Sequence, residues 1–512
     1  MATLTKIDSN VTELRYAEED SYGVLPVTPD WVPLEPNSYT DFGGSIVTVA
    51  RNPINASRQR KKGVTTDLEA TGGFDTDITQ TNLQDILQGF FFADLIPKVE
   101  LGGASEITGV ATATDRYSMA ADGDDFAVNS LVYASGFTNA GNNGLHLVDE
   151  SAATYVGVAE NLVDEVSPPA VAKLVTVGVQ GTAGDIDVSV AGTLPALTST
   201  SLDFTTLGLS PGEWIFIGGD ATGKKFVNAA NNGFARVRSV AANTLTLDKT
   251  QATMVTEAST TETIQIFFGR VLKNQTGSSI VRRTYQLERA LGAPDDAAPA
   301  EIQGEYLVGA VPNEFALKIP AADKVTATLS FVPKTNEVVT GSTGLKTGNR
   351  PSLVEADAFN TSSDFSRIKL ALVSSTDAAP DPLFAFVQEI NLSINNNVTV
   401  DKAVGVLGGF EATAGSFIVS GDMQAYFADV TAVSAVRNNE DITLDIHMVK
   451  ANAGISIDVP LIALGDAKAN VEQDKPIMLP LKTEAATGAK IASTLDHTLL
   501  MVFWDYLPDA AE

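Results

Sequence analysis

The chain has 512 residues, 44% hydrophobic and 19% charged, which is ordinary for a folded protein and enough for about two to four domains. Its 34 lysines and arginines face 63 aspartates and glutamates, a formal charge of −29, so the surface as a whole repels nucleic acid and anionic membrane. Cysteine is absent, which excludes disulfides, thiolate metal sites and a cysteine nucleophile.

The N-terminal stretch has no basic segment followed by an apolar one, and no run in the chain approaches the roughly 18 apolar residues of a membrane span. A soluble protein made in the cytosol is the expectation. Up to about residue 40, Pro26, Pro29, Pro33 and Pro36 disfavour helix and central strand, so an extended arm is expected. Its aromatic residues Tyr16, Tyr22, Trp31 and Tyr39 imply that it docks on something. Ser45 to Arg51 reads as a strand, entered through Gly43-Gly44. A long polar hairpin then carries five cations, Arg51, Arg58, Arg60, Lys61 and Lys62, and a second strand returns from it. Thr81 and Gln84 have capping-box spacing, and Leu83, Ile86, Leu87, Phe90 and Phe91 recur at helical intervals, so a short amphipathic helix should cover a sheet.

From about residue 104 to 270 the composition shifts to Ala, Gly, Asn, Thr and Asp, and an internal repeat appears. FTNAGNNGLHLV at 137–148 matches FVNAANNGFARV at 226–237, each after a short β-rich run. Asn-Asn-Gly tolerates the positive φ of a tight strand connection. Two small β-modules, at 104–172 and 173–272, are expected as surface decorations that interrupt a core made of 1–103 and 273–512.

Beyond the insertion, alternation dominates. In 384–397 apolar Phe384, Phe386, Ile390, Leu392 and Ile394 oppose Glu389, Asn391, Ser393 and Asn395. Ile442, Leu444, Ile446 and Met448 likewise oppose Thr443, Asp445 and His447. Both patterns predict antiparallel strands with one wet face, and the fold class is mainly β.

Catalytic chemistry has no positive signal. GGDATGKK at 218–225 meets G-x-x-x-x-G-K, but Lys225 replaces the magnesium-binding hydroxyl and no helical pattern follows, so a turn is expected. His146, His447 and His497 are dispersed, and ADGDD at 121–125 lacks calcium-loop spacing. No enzyme activity, cofactor or metal site is expected. The basic hairpin lacks interleaved aromatics for base stacking, so contact with acidic groups on another copy explains it better than nucleic acid does.

Two segments together resemble the tail tube (major tail) proteins of long-tailed bacteriophages. One is SRQRKKGVTTDLEATGGFDTDITQTNLQDILQGFF at 57–91. The other lies in 400–433 and contains Gly415, Phe417, Val419, Gly421, Met423, Ala425, Tyr426 and Phe427 in a G-x-F-x-V-x-G-x-M-x-A-Y-F pattern. The resemblance implies a β-sandwich or barrel with a flanking short helix, six subunits closing a ring around a continuous inner barrel, and rings stacking into a tube. DNA would pass through an acidic lumen without specific binding, in a phage tail assembled in the host cytoplasm. Partners would be further copies of the chain and other tail proteins, such as the tape measure and terminator, with no membrane insertion. Lumen-facing candidates are Glu389, Asn391, Ser393, Asn395, Thr443 and Asp445; inter-subunit candidates are the five hairpin cations. The alternative is a β-rich, adhesin-like surface protein whose repeated modules bind a ligand.

Overall fold

Period-two alternation builds a chain made mostly of antiparallel strands, with two short helices, Gln84–Phe91 and Thr431–Asn438, among the described residues. The computed structural model describes residues 7, 9, 12–54, 56–292, 302–340, 345–427 and 430–512. These fall into two units. One comprises Met1–Ala93, Gly277–Thr361 and Gln388–Gln424; the other comprises Asp94–Thr276, Ser362–Val387 and Ala425–Glu512. The second unit therefore joins the insertion to strands that the sequence had assigned to the core.

In the first unit two long strands each serve two partners along their length. Gln303–Pro320 pairs through its first half with Tyr285–Ala290 and Thr335–Thr340, and through its second half with Thr326–Val332 and Val387–Asn395. Lys61–Asp77 pairs first with Gly43–Arg51, then with Pro36–Tyr39 and Thr326–Val332. The N-terminal arm docks at home: Glu13–Glu18 pairs with Tyr285–Ala290, and buried Trp31 donates its indole N–H to the Thr347 carbonyl at 3.0 Å.

The helix Gln84–Phe91 forms where the spacing predicts, but the Thr81–Gln84 capping box does not. Its N-cap position, Leu83, offers no side-chain cap, and one turn earlier Thr79 and Asn82 cap each other reciprocally. Ile86, Leu87, Phe90 and Phe91 are buried. Phe90 meets Phe331 at 5.2 Å and Phe315 at 6.1 Å between ring centroids. Gly89 permits this approach, since a Cβ there would sit 2.6 Å from the Tyr285 ring and 2.8 Å from Pro312.

The insertion is a tandem duplication. In chain order the first module has strands Ile107–Ala111, Arg116–Met119, Ser130–Ser135, Gly144–Ala152, Tyr155–Val158 and Lys173–Gln180. The second has Asp187–Ser189, Ala196–Thr198, Trp214–Ile217, Gly233–Ala241, Thr244–Thr250 and Gln265–Phe267. Both run six-three-four-five-two-one across the sheet, and the two sixth strands pair with each other, Gly178 opposite Phe267. The strand from Lys173 thus completes the first module. In each, the first strand bridges back to a glutamate, Val110 to Glu165 and Val188 to Glu257. Those glutamates clamp the repeated loop. Glu165 accepts from the backbone N–H groups of Thr138 and Asn139 and from the Asn142 amide; Glu257 accepts from Val227, Asn228 and the Asn231 amide in the same way.

The modules are not surface decorations. Leu131, Trp214, Phe216 and Phe234 share one apolar cluster with Val449, Val502 and Trp504 of the C-terminal strands. Phe234 stacks on His447 at 4.2 Å with an interplanar angle of 8°. Beside them lies a buried ionic layer. Arg236 is bidentate to Asp248 and also reaches both oxygens of Asp458, while Lys249 and Arg367 converge on Asp445. Lys249 also donates to Thr443 at 3.0 Å, and Trp214 to Asp458 at 3.0 Å. Burial alone would raise the Asp445 carboxyl, but Lys249 and Arg367 beside it hold it well below the usual carboxylate range. The wet face predicted for Thr443, Asp445 and His447 is therefore dry: all three are buried, and the insertion covers them.

Candidate assembly surface

One sheet of the first unit has two contrasting faces. Across Pro36–Tyr39, the end of Lys61–Asp77, Thr326–Val332, the end of Gln303–Pro320 and Val387–Asn395, alternate residues Phe74, Leu329, Phe331, Phe315, Leu392 and Ile394 are buried beneath the helix. The intervening residues are mostly polar and partly or fully exposed. Register places Asp75 opposite Thr328, Lys318 opposite Asn391 and Glu314 opposite Asn395.

Short hydrogen bonds order this polar face. Asp75 accepts from Ser38 and Thr328, each at 2.6 Å, and Asp77 from Asn37 at 2.5 Å and Lys324 at 2.7 Å. Asn391 donates to Glu389 at 3.2 Å and to Asp422 at 3.0 Å, and Ser393 lies 3.3 Å from the Ser420 hydroxyl. Asp75, Asp77, Glu314, Glu389 and Asp422 outweigh Lys318 and Lys324, so the face is net acidic. Glu389, Asn391, Ser393 and Asn395 belong to it, as their alternation predicts. Thr443 and Asp445 do not, because they are sealed in the ionic layer of the second unit. The contributions of Asp75 and Asp77 were missed; the signal was present in Gly73-Phe74-Asp75-Thr76-Asp77, a strand pattern with both acids in phase.

From this sheet the ribbon Gly43–Arg51 with the first half of Lys61–Asp77 runs on, its strands paired with each other and, among the described residues, with no third strand. Ile46, Val49 and Val64 are each more than half exposed, and Ile54 at the tip is fully exposed. Arg51 stands directly opposite Lys61, a like-charge pair that repels. Arg51, Arg58, Arg60, Lys61 and Lys62 are exposed and have no ion-pair partner among the described residues. The ribbon's own acids are committed elsewhere: Lys402 pairs with Asp67 and lies 3.8 Å from Glu69. A two-stranded ribbon that exposes apolar side chains and unmatched cations is marginal on its own in water.

No enzymatic constellation competes with this surface. The Lys225 motif is a turn, Thr222–Lys224, whose Lys224 is bound to Gln180 and Thr263. His447 and His497 are buried beside Asp445 and Asp458 of the ionic layer and His146 lies in the first module, and among the described residues no three His, Asp or Glu side chains converge as metal ligands. No curated protein matches the chain. The family profile described as phage tail tube protein matches residues 9–485, nearly the whole sequence. The chain belongs to the phage tail tube protein family.

Proposed function

We propose that the protein is a structural subunit of a phage tail whose copies close into hexameric rings, and that these stack into a tube conducting DNA into the host. The observation that carries this reading is the two-faced sheet: its apolar side is sealed by the helix Gln84–Phe91, and its polar side bears Asp75, Asp77, Glu314, Glu389 and Asp422. Joined edge to edge, such sheets make an inner barrel without free edges, and the acid-rich side becomes its lining. Repulsion from phosphate keeps DNA moving. The ribbon and its five cations extend from the sheet toward an acidic neighbour, in the same ring or the next. Other tail proteins, such as the tape measure inside the tube and the terminator at its end, are the remaining partners.

Electron microscopy of the concentrated protein tests this. Rings or hollow tubes of sixfold symmetry are expected, with Asp75 and Asn391 lining the bore in averaged maps. A monomer at every concentration and salt overturns the reading.

A further inference from the structure

The duplicated modules offer a comparison within one chain. On the outer face of the first, the Arg116 guanidinium lies 3.8 Å from the Tyr155 ring centroid and donates to Glu150 at 2.5 Å. Gly157 makes room for this plug, since a Cβ there would come within 2.4 Å of the Glu150 side chain. Strand register carries these positions onto the second module. The pair Tyr155 and Ser118 corresponds to Thr244 and Thr198, the pair Gly157 and Arg116 to Thr246 and Ala196, and Glu150 to Ser239.

In the second module every large member of the plug is replaced by a small residue. What remains is an open groove of about 670 Å³, closed on its far side by Thr193, Ser375 and Thr376. The hydroxyls of Thr198, Ser239, Thr244 and Thr246 have no hydrogen-bond partner among the described residues. No carboxylate lines the groove, and its one charge is Arg238.

We propose that this groove binds a saccharide. A side-chain hydroxyl both donates and accepts, as a sugar hydroxyl does, and a row of four on a rigid sheet face matches a polyhydroxylated ligand better than an apolar or cationic one. The volume lies in the range of small-ligand sites. Arg238 gives preference to a sugar bearing a carboxylate or phosphate. The groove shares no residue with the polar sheet face on which the tube reading rests.

The test is to probe the full-length protein on an array of neutral and uronic-acid oligosaccharides, with titration calorimetry on the best. Thr198→Val, Thr244→Val and Thr246→Val together keep shape and strand preference but remove three hydroxyls, and should weaken binding by roughly 100-fold. Ala196→Arg, Ser239→Glu, Thr244→Tyr and Thr246→Gly rebuild the plug and should abolish it. Thermal melts of both variants, matched to the parent, exclude misfolding as the cause. Retention of no oligosaccharide by the parent above the level of the plugged variant overturns the proposal, as does equal retention by all three proteins.

Discussion

Arg236 of the second module donates to both carboxylate oxygens of Asp458, 222 residues further along the chain, each bond 3.1 Å long and neither side chain more than 2% exposed. An insertion held this way is part of the core. Arg236→Ala leaves Asp248 and Asp458 buried without their cation and should cost about 3–5 kcal/mol in chemical denaturation. Deleting 104–272 would uncover the ionic layer and the apolar cluster around Trp504 at once, so insoluble protein is expected; a soluble deletion variant with a native melt would contradict this.

Acid should loosen the same unit through His447. Burial pushes its imidazole down to about 3, so the folded chain keeps it neutral while the unfolded chain protonates it near 6.5. Stability is then fully present above pH 6.5 and falls as pH drops from there toward 3, by an amount on the order of 4 kcal/mol. His447→Gln should flatten that part of the pH–stability curve. An unchanged slope between pH 6 and 4 would show that other groups govern it.

Replacing Arg58, Arg60, Lys61 and Lys62 by serine should leave the thermal melt within about 1 °C of the parent, because exposed charges contribute little to folding. Ring or tube formation, followed by light scattering, should nonetheless weaken and lose its sensitivity to salt. Normal assembly in that variant would remove the role given to the hairpin.

Gly89→Ala should lift the helix from its sheet. The added methyl meets the Tyr285 ring and Pro312, neither of which can withdraw from a packed core, so a loss of about 1–3 kcal/mol is expected despite alanine's better helix propensity. A stabilised variant in urea denaturation would show that the contact relaxes.

Local patterns made much of this fold legible. The short helix, the strands with alternating faces and the repeat follow from spacing within a few residues; in the repeated loop only Gly144 and Gly233 take the positive φ expected of Asn-Asn-Gly, while Asn143 and Asn232 are extended. Thr443 and Asp445 show where such reasoning ends. Alternation establishes that a face is polar, but whether water or Lys249 and Arg367 satisfies it depends on segments far away in sequence. Glu165 and Glu257 escaped notice for the same reason, since each lies more than 20 residues beyond the asparagine it grips. A faint trace existed in Leu-Val-Asp-Glu at 162–165 and Met-Val-Thr-Glu at 254–257.

The pairing of Gly178 with Phe267 joins like strand to like strand, as two copies of one module would meet across a twofold axis. The insertion is in effect a homodimer written into a single polypeptide. A true homodimer must carry every substitution twice, whereas here each half was free to change alone. The halves differ accordingly: Arg236 takes the place that Leu147 has in the first, and the Arg116 plug on one side stands where the other has a groove.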